Sequence, residues 1–84
     1  MKRDIHLIFG RNVNRLRIQR GLTQNQVLAL ADLDRRHYQR IERGEENPTL
    51  KVIVALGLAL DASWDDLMRG LLDPSTANAD AITA

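Results

Sequence analysis

The stretch from Thr23 to Gly44, TQNQVLALADLDRRHYQRIERG, carries helix-start signals at Thr23 and Asp34 and a helix stop at Gly44. Few folds accept two helices this short with only a tight turn between them. Thr23 is a good N-cap for a helix from Gln24 to Ala31, and Gln26 at its third position completes a capping box, because each side chain satisfies a backbone N–H that a helix start leaves free. Asp34 caps a second helix from Arg35 to Arg43, which Gly44 ends by supplying a left-handed residue. The turn is Asp32-Leu33, with Leu33 as an anchor between the helices. Val27 and either Leu28 or Ala31 face inward from the first helix, and Tyr38, Ile41 and Glu42 from the second. The remaining residues must close a core around this pair.

On the N-terminal side, Phe9, Val13 and Leu16 recur at helical spacing and Ile5 extends the stripe, so a helix is predicted from Arg3 to Gln19 with Arg11, Asn12 and Arg15 facing outward. Gly21 ends that helix and Leu22 ties the turn to the core. Arg17 lies close to the buried stripe, where a cation needs an anionic partner. On the C-terminal side, Thr49 caps a helix from Leu50 to Leu60 that is apolar almost all round and reads as the buried spine. Ser63, with Asp66 three residues on, starts a fifth helix from Trp64 to Leu72. The segment DPSTANADAITA, with Pro74 near its start, reads as a disordered tail over 73–84. The expectation is an all-α single domain of five helices over 1–72. A chain of 84 residues buries only about 60 to 65 % of its unfolded surface, so a dimer would add to its stability.

Several function classes find no support. There are no cysteines to form disulfides or thiolate metal sites, which suits a reducing cytoplasm. The most apolar run, Val52 to Leu60, is roughly half the ~20 residues a membrane span requires. The segment MKRDIHLIFGRN is interrupted by Asp4, His6 and Gly10 and does not read as a signal peptide. His6 has no ligand partner at metal spacing and reads as a surface residue; no metal or other cofactor is expected. No nucleophile stands in register with a base and no glycine loop is built to cradle phosphate, so the chain does not read as an enzyme.

Charge is informative once it is divided. Met1 to Arg43 holds ten basic residues against four acidic ones, a net +6, while Gly44 onward holds two against seven, a net −5. This asymmetry points to a cationic face for a polyanion. A helix that enters the major groove of DNA must present side chains able to reach base edges, with cations and helix N-termini on the phosphates. The second short helix offers Arg35, Arg36, Gln39 and Arg40 on its outer face. Arginine pairs with guanine and glutamine with adenine in bidentate fashion, each good pair giving ~1 to 3 kcal/mol of discrimination. Gln24, Asn25, Arg43 and Asn47 are candidate phosphate contacts, and His37 is a further candidate DNA contact. Tyr38 is expected to be mostly buried, with its hydroxyl reaching an edge.

The run RIQRGLTQNQ, the gapless continuation to RIERGEENPTL and the segment LALDAS resemble the Cro/lambda-repressor-like (XRE) helix-turn-helix family of transcriptional regulators. The resemblance covers Phe9 to Leu71, and its motifs GLTQ, IERG and NPTL are specific in combination. It implies a compact five-helix lambda-repressor-like domain whose helices two and three form the helix-turn-helix. In such a domain Gln24 contacts a phosphate and orients a base-reading side chain, and Arg35, Arg36, Gln39 and Arg40 lie on the reading surface. The resemblance also implies a structural brace between Arg17 and Glu42. The chain departs from the family at Leu28, where a small residue is usual, and at Asp32, where a glycine is usual because the turn needs a left-handed residue. Tyr38 stands where an aliphatic core residue is common.

Small family members commonly dimerise through the C-terminal end, which here implicates Trp64, Leu67, Met68, Leu71 and Leu72. The expected function is that of a cytoplasmic homodimeric regulator that binds a pseudo-palindromic operator on double-stranded DNA and blocks or recruits RNA polymerase, as a phage-type repressor or a restriction-modification controller. An antitoxin that binds a toxin protein and autoregulates its operon is the alternative reading.

Overall fold

The computed structural model describes residues 4–72, in five helices: α1 (Ile5–Gln19), α2 (Gln24–Ala31), α3 (Arg35–Glu42), α4 (Leu50–Ala59) and α5 (Trp64–Leu67). The expectation for the tail over 73–84 lies outside the described residues.

Each helix starts where a short polar side chain can take the first free amides. Asp4 accepts from the backbone N–H of His6 and Leu7 at 3.0 and 3.1 Å, so α1 begins at Ile5. Thr23 and Gln26 form the reciprocal capping box of α2, at 3.1 and 2.8 Å. Asp34, Thr49 and Ser63 accept from the third residue beyond them and cap α3, α4 and α5. The ends are equally local. The N–H of Leu22 reaches the Arg17 carbonyl and that of Glu45 the Arg40 carbonyl, closing α1 and α3 around Gly21 and Gly44. α2 ends on Asp32, which is left-handed at φ 56° as the turn demands.

The core joins Phe9, Val13 and Leu16 of α1 to Val27 and Ala31 of α2, Tyr38 and Ile41 of α3, Leu56 and Leu60 of and just beyond α4, and Leu67 of α5. Leu28, Leu22 and Leu33 pack against it from its edge. The bulk of Leu28 is therefore absorbed at the rim, while Ala31 takes the close position. α1 and α3 cross tightly: a Cβ on Gly10 would lie 2.7 Å from the Glu42 carbonyl oxygen and nearer still to that of Ile41.

Five expectations are corrected. α4 is not a buried spine: it buries Leu56 and Gly57, while Leu50, Val54 and Leu58 are 68, 44 and 80 % exposed. Val52, Ile53, Ala55 and Ala59 are half-buried against the core, and α2 is its main helical neighbour. α5 ends at Leu67, short of Leu72, and Gly70 turns the chain at φ 85°. Asn12, expected to face outward, is buried, and its amide donates to the carbonyls of Leu67 and Arg69 at 2.8 and 2.9 Å. Arg15, also expected outward, is half-buried; it holds the Asn12 oxygen at 2.9 Å and the Asp66 carbonyl at 3.3 Å. These side chains tie the carbonyls at the end of α5 to α1. Ile5, expected in the stripe, is 47 % exposed at the first turn of α1.

Candidate nucleic-acid interface

α3 leaves the turn with Tyr38 and Ile41 turned inward, which by helical spacing directs Arg36, Arg40 and Arg43 away from the core. Arg35, Arg36 and Arg40 are exposed, and Gln39 and His37 are half-buried on the flanks. Beside this face lies the start of α2, with Asn25 exposed and Gln24 half-buried. Arg43 and Asn47 are exposed in the segment that follows α3. Contacts tie part of this set together, Gln39 of α3 lying 3.3 Å from Gln24 of α2, whereas Asn47 lines a pocket with Ile5, His6, Met68 and Leu71.

Behind that face sits Glu42, whose side chain is only 7 % exposed. Its Oε2 accepts from Arg17 Nε at 2.8 Å and from the Tyr38 hydroxyl. Its Oε1 accepts from Gln24 Nε2 at 3.0 Å and Asn14 Nδ2 at 3.2 Å. A carboxylate offers about four lone-pair sites, and here four donors from three helices fill them. Burial alone would raise the Glu42 pKa, but the hydrogen bonds from Arg17, Tyr38, Asn14 and Gln24 outweigh it and hold the carboxyl below its usual range. The same bond raises the Arg17 pKa against the opposing effect of burial. Burial, reinforced by Glu42, pushes the Tyr38 hydroxyl well above the usual phenol range, so it stays a donor.

Tyr38 is fully buried, and its hydroxyl ends on Glu42 instead of reaching an edge. Gln24 gives one amide hydrogen to Glu42 and accepts from Gln39 Nε2 at 3.3 Å. Asn14 carried no signal as a site residue, since its role depends on a carboxylate 28 positions away. The loop after α3 adds acids that spacing did not place: Glu46 lies 3.8 Å from Arg40, and Glu45 3.3 Å from Arg43. Part of the cationic face is thus charge-paired in the free protein.

The five residues expected at a dimer interface separate. Leu67 is a core residue at 2 % exposure and offers no area to a partner. Met68 and Leu71 are half-buried against the core, whereas Trp64 and Leu72 are 52 and 91 % exposed. Exposed apolar surface continues onto α4. A groove of about 230 Å³ is lined by Ile53, Val54, Gly57, Leu58 and Ala62 of the α4 region and by Trp64.

Comparison with known proteins agrees with this architecture. A family model described as helix-turn-helix matches residues 13–67. The chain is similar to an uncharacterized HTH-type transcriptional regulator, y4dJ, of Sinorhizobium fredii, with 35 % identity over 65 residues that span 77 % of this chain and 84 % of that one. It is also 35 % identical over 71 residues to the control protein C.MunI of a Mycoplasma species, covering 79 and 96 % of the two chains. Among solved structures it resembles the restriction-modification controller protein C.AhdI from Aeromonas hydrophila, at 35 % identity and a TM-score of 0.70, covering 74 % of this chain and 94 % of that one. With its caps, turn and core in the same register as its motifs, this chain belongs to the XRE-type helix-turn-helix family of transcriptional regulators.

Proposed function

We propose that this protein is a sequence-specific DNA-binding transcriptional regulator that acts as a homodimer on a pseudo-palindromic operator. The observation that carries the reading is the outer face of α3, where Arg35, Arg36 and Arg40 stand exposed in front of a braced Gln24–Gln39 pair. α3 is the helix that enters the major groove. Arg35, Arg36, Gln39 and Arg40 read bases, and Gln24, Asn25, Arg43 and Asn47 hold phosphates, with His37 at the margin. The N-terminus of α2 adds its free amides and the positive end of its dipole. Likeness to C.MunI and C.AhdI favours a restriction-modification controller over a phage-type repressor. No observation favours the antitoxin reading.

The exposed apolar face of α4 with Trp64 supports a dimer, which would set two recognition helices about 34 Å apart, one helical turn of DNA. The site assignment is tested by selecting bound sequences from random DNA and measuring their affinity against salt. Arg35→Ala and Arg40→Ala should relax preference at individual base positions by about ten- to a hundredfold. Arg43→Ala should weaken all sequences alike and lower the salt slope by about one. Arg69→Ala, outside the helix-turn-helix and paired with Asp66, should do neither. Unchanged selectivity in both the Arg35 and Arg40 variants would remove α3 as the reader.

A further inference from the structure

The loop after α3 sets a carboxylate beside two of the arginines assigned to DNA, and the two pairs differ. Arg43 and Glu45 are both mostly in solvent, with side chains 58 and 56 % exposed. Glu46 is more enclosed: its side chain is 25 % exposed, beside an Arg40 side chain at 46 %. The loop that carries it is pinned at both its chain and its packing. The N–H of Glu45 donates to the Arg40 carbonyl at 2.8 Å, and Gly44, left-handed at φ 75°, lies so near α1 that a Cβ on it would sit 2.6 Å from Leu7 Cα. Glu46 is thereby kept at the end of α3.

Arg40 Nη2 lies 3.8 Å from Glu46 Oε2, close enough for the charges to attract and too long for a hydrogen bond. The Arg40 side chain makes no hydrogen bond among the described residues. Its N–H donors are therefore unspent while its charge is partly compensated. Arg35 and Arg36 have no carboxylate at ion-pair distance among the described residues. The two groups an arginine can meet on DNA respond differently to this state. A guanine edge offers N7 and O6, neutral acceptors that can share the guanidinium with a carboxylate already beside it. A phosphate is an anion, and drawing it to Arg40 sets it against Glu46 as like charge. We infer that Glu46 is a specificity-determining residue that directs Arg40 to base edges and away from phosphates, a reading that rests on the base-reading role proposed above for Arg40. Non-specific binding, which is almost wholly phosphate attraction, then loses the contribution of Arg40. Binding at the preferred site keeps it.

The test begins by selecting a preferred site from random double-stranded DNA with the full chain. Affinity is then measured at one salt concentration for that site and for an unrelated duplex of equal length, with the wild type, Glu46→Gln, Arg40→Ala and the double variant. Glutamine keeps the shape of glutamate and removes its charge, and circular dichroism checks the fold. Glu46→Gln should bind the unrelated duplex about two- to fivefold more tightly per protomer, the scale of an exposed ion pair, and the selected site within about twofold of the wild type. In the Arg40→Ala background the same substitution should leave the ratio of the two affinities unchanged. Equal strengthening of both duplexes by Glu46→Gln would overturn the role of Glu46, because general repulsion between a carboxylate and DNA behaves that way. A change in ratio that persists without Arg40, or no change for either duplex, would overturn it as well while leaving DNA reading in place. Arg40→Ala with full preference for the selected site would instead remove the base-reading role of Arg40, and failure of the wild type to select any site would remove sequence reading altogether.

Discussion

Glu42 shows how one buried carboxylate can tie three helices together. Its ion pair with Arg17 is nearly closed to solvent, with side chains 7 and 15 % exposed, so removing either partner leaves an uncompensated buried charge. Arg17→Ala or Glu42→Ala should lower unfolding free energy by about 3 to 5 kcal/mol, read from urea denaturation. The pH dependence follows from the depressed Glu42 pKa. The carboxyl is ordinarily near 4.5 and lies lower when folded, so its ionised form favours the fold above that value, and the contribution is lost as pH falls through the ordinary and then the folded value. Stability measured between about pH 6 and pH 2 should therefore decline through this window in the wild type. Glu42→Gln should show a flatter curve; an equally steep one would assign the acid sensitivity to other carboxyls. The need for a partner to Arg17 was legible because a cation sat beside an apolar stripe. The roles of Tyr38 and Asn14 were not, since neither residue type nor spacing says where a distant carboxylate will lie.

At the scale of helices, docking matters more than intrinsic propensity. α5 is short, Gly70 turning the chain at φ 85°, and Asn12 and Arg15 of α1 engage the carbonyls of Asp66, Leu67 and Arg69 at its end. Asn12→Ala would leave the Leu67 carbonyl buried without its donor and should cost about 1 to 3 kcal/mol in thermal or urea unfolding. The crossing of α1 and α3 depends on the missing side chain of Gly10. Gly10→Ala should destabilise by about 1 to 3 kcal/mol or more by forcing backbone apart, despite the better helix propensity of alanine. The opposite sign is expected in the turn. Asp32 holds a left-handed conformation at φ 56°, so Asp32→Gly should raise stability by up to about 1 kcal/mol, the relieved strain being partly offset by glycine's greater unfolded-state entropy.

For the whole molecule, two kinds of surface stand exposed: the arginines of α3, and the apolar residues Leu50, Val54, Leu58 and Trp64 around α4 and α5. A dimer formed through the apolar end would leave both cationic faces free for one DNA. Leu58→Asp puts a charge at the most exposed apolar position of α4 without touching the core. Sedimentation should then report a monomer, with operator binding that needs more protein and rises more steeply with concentration. An unchanged mass would rule out this face. Leu71→Asp is a less clean probe, because Leu71 is half-buried against the core and its loss also perturbs the domain.

The sequence by itself determined the α2–turn–α3 unit, to within a residue at either end, and the starts of α2 to α5. Those features rest on caps and left-handed residues that act over three or four positions, so the signal lies inside the segment it describes. It also determined which side of α3 faces outward, through the apolar pair Tyr38 and Ile41. Tertiary structure alone decided the end of α5, the burial of Asn12, the exposure of α4 and the four-donor shell of Glu42. Each of these depends on a partner brought from far along the chain, as Asn12 meets Leu67 across 55 positions. A buried polar side chain is read as outward-facing until the fold supplies its hydrogen-bond partners, because only those partners make its burial affordable in free energy.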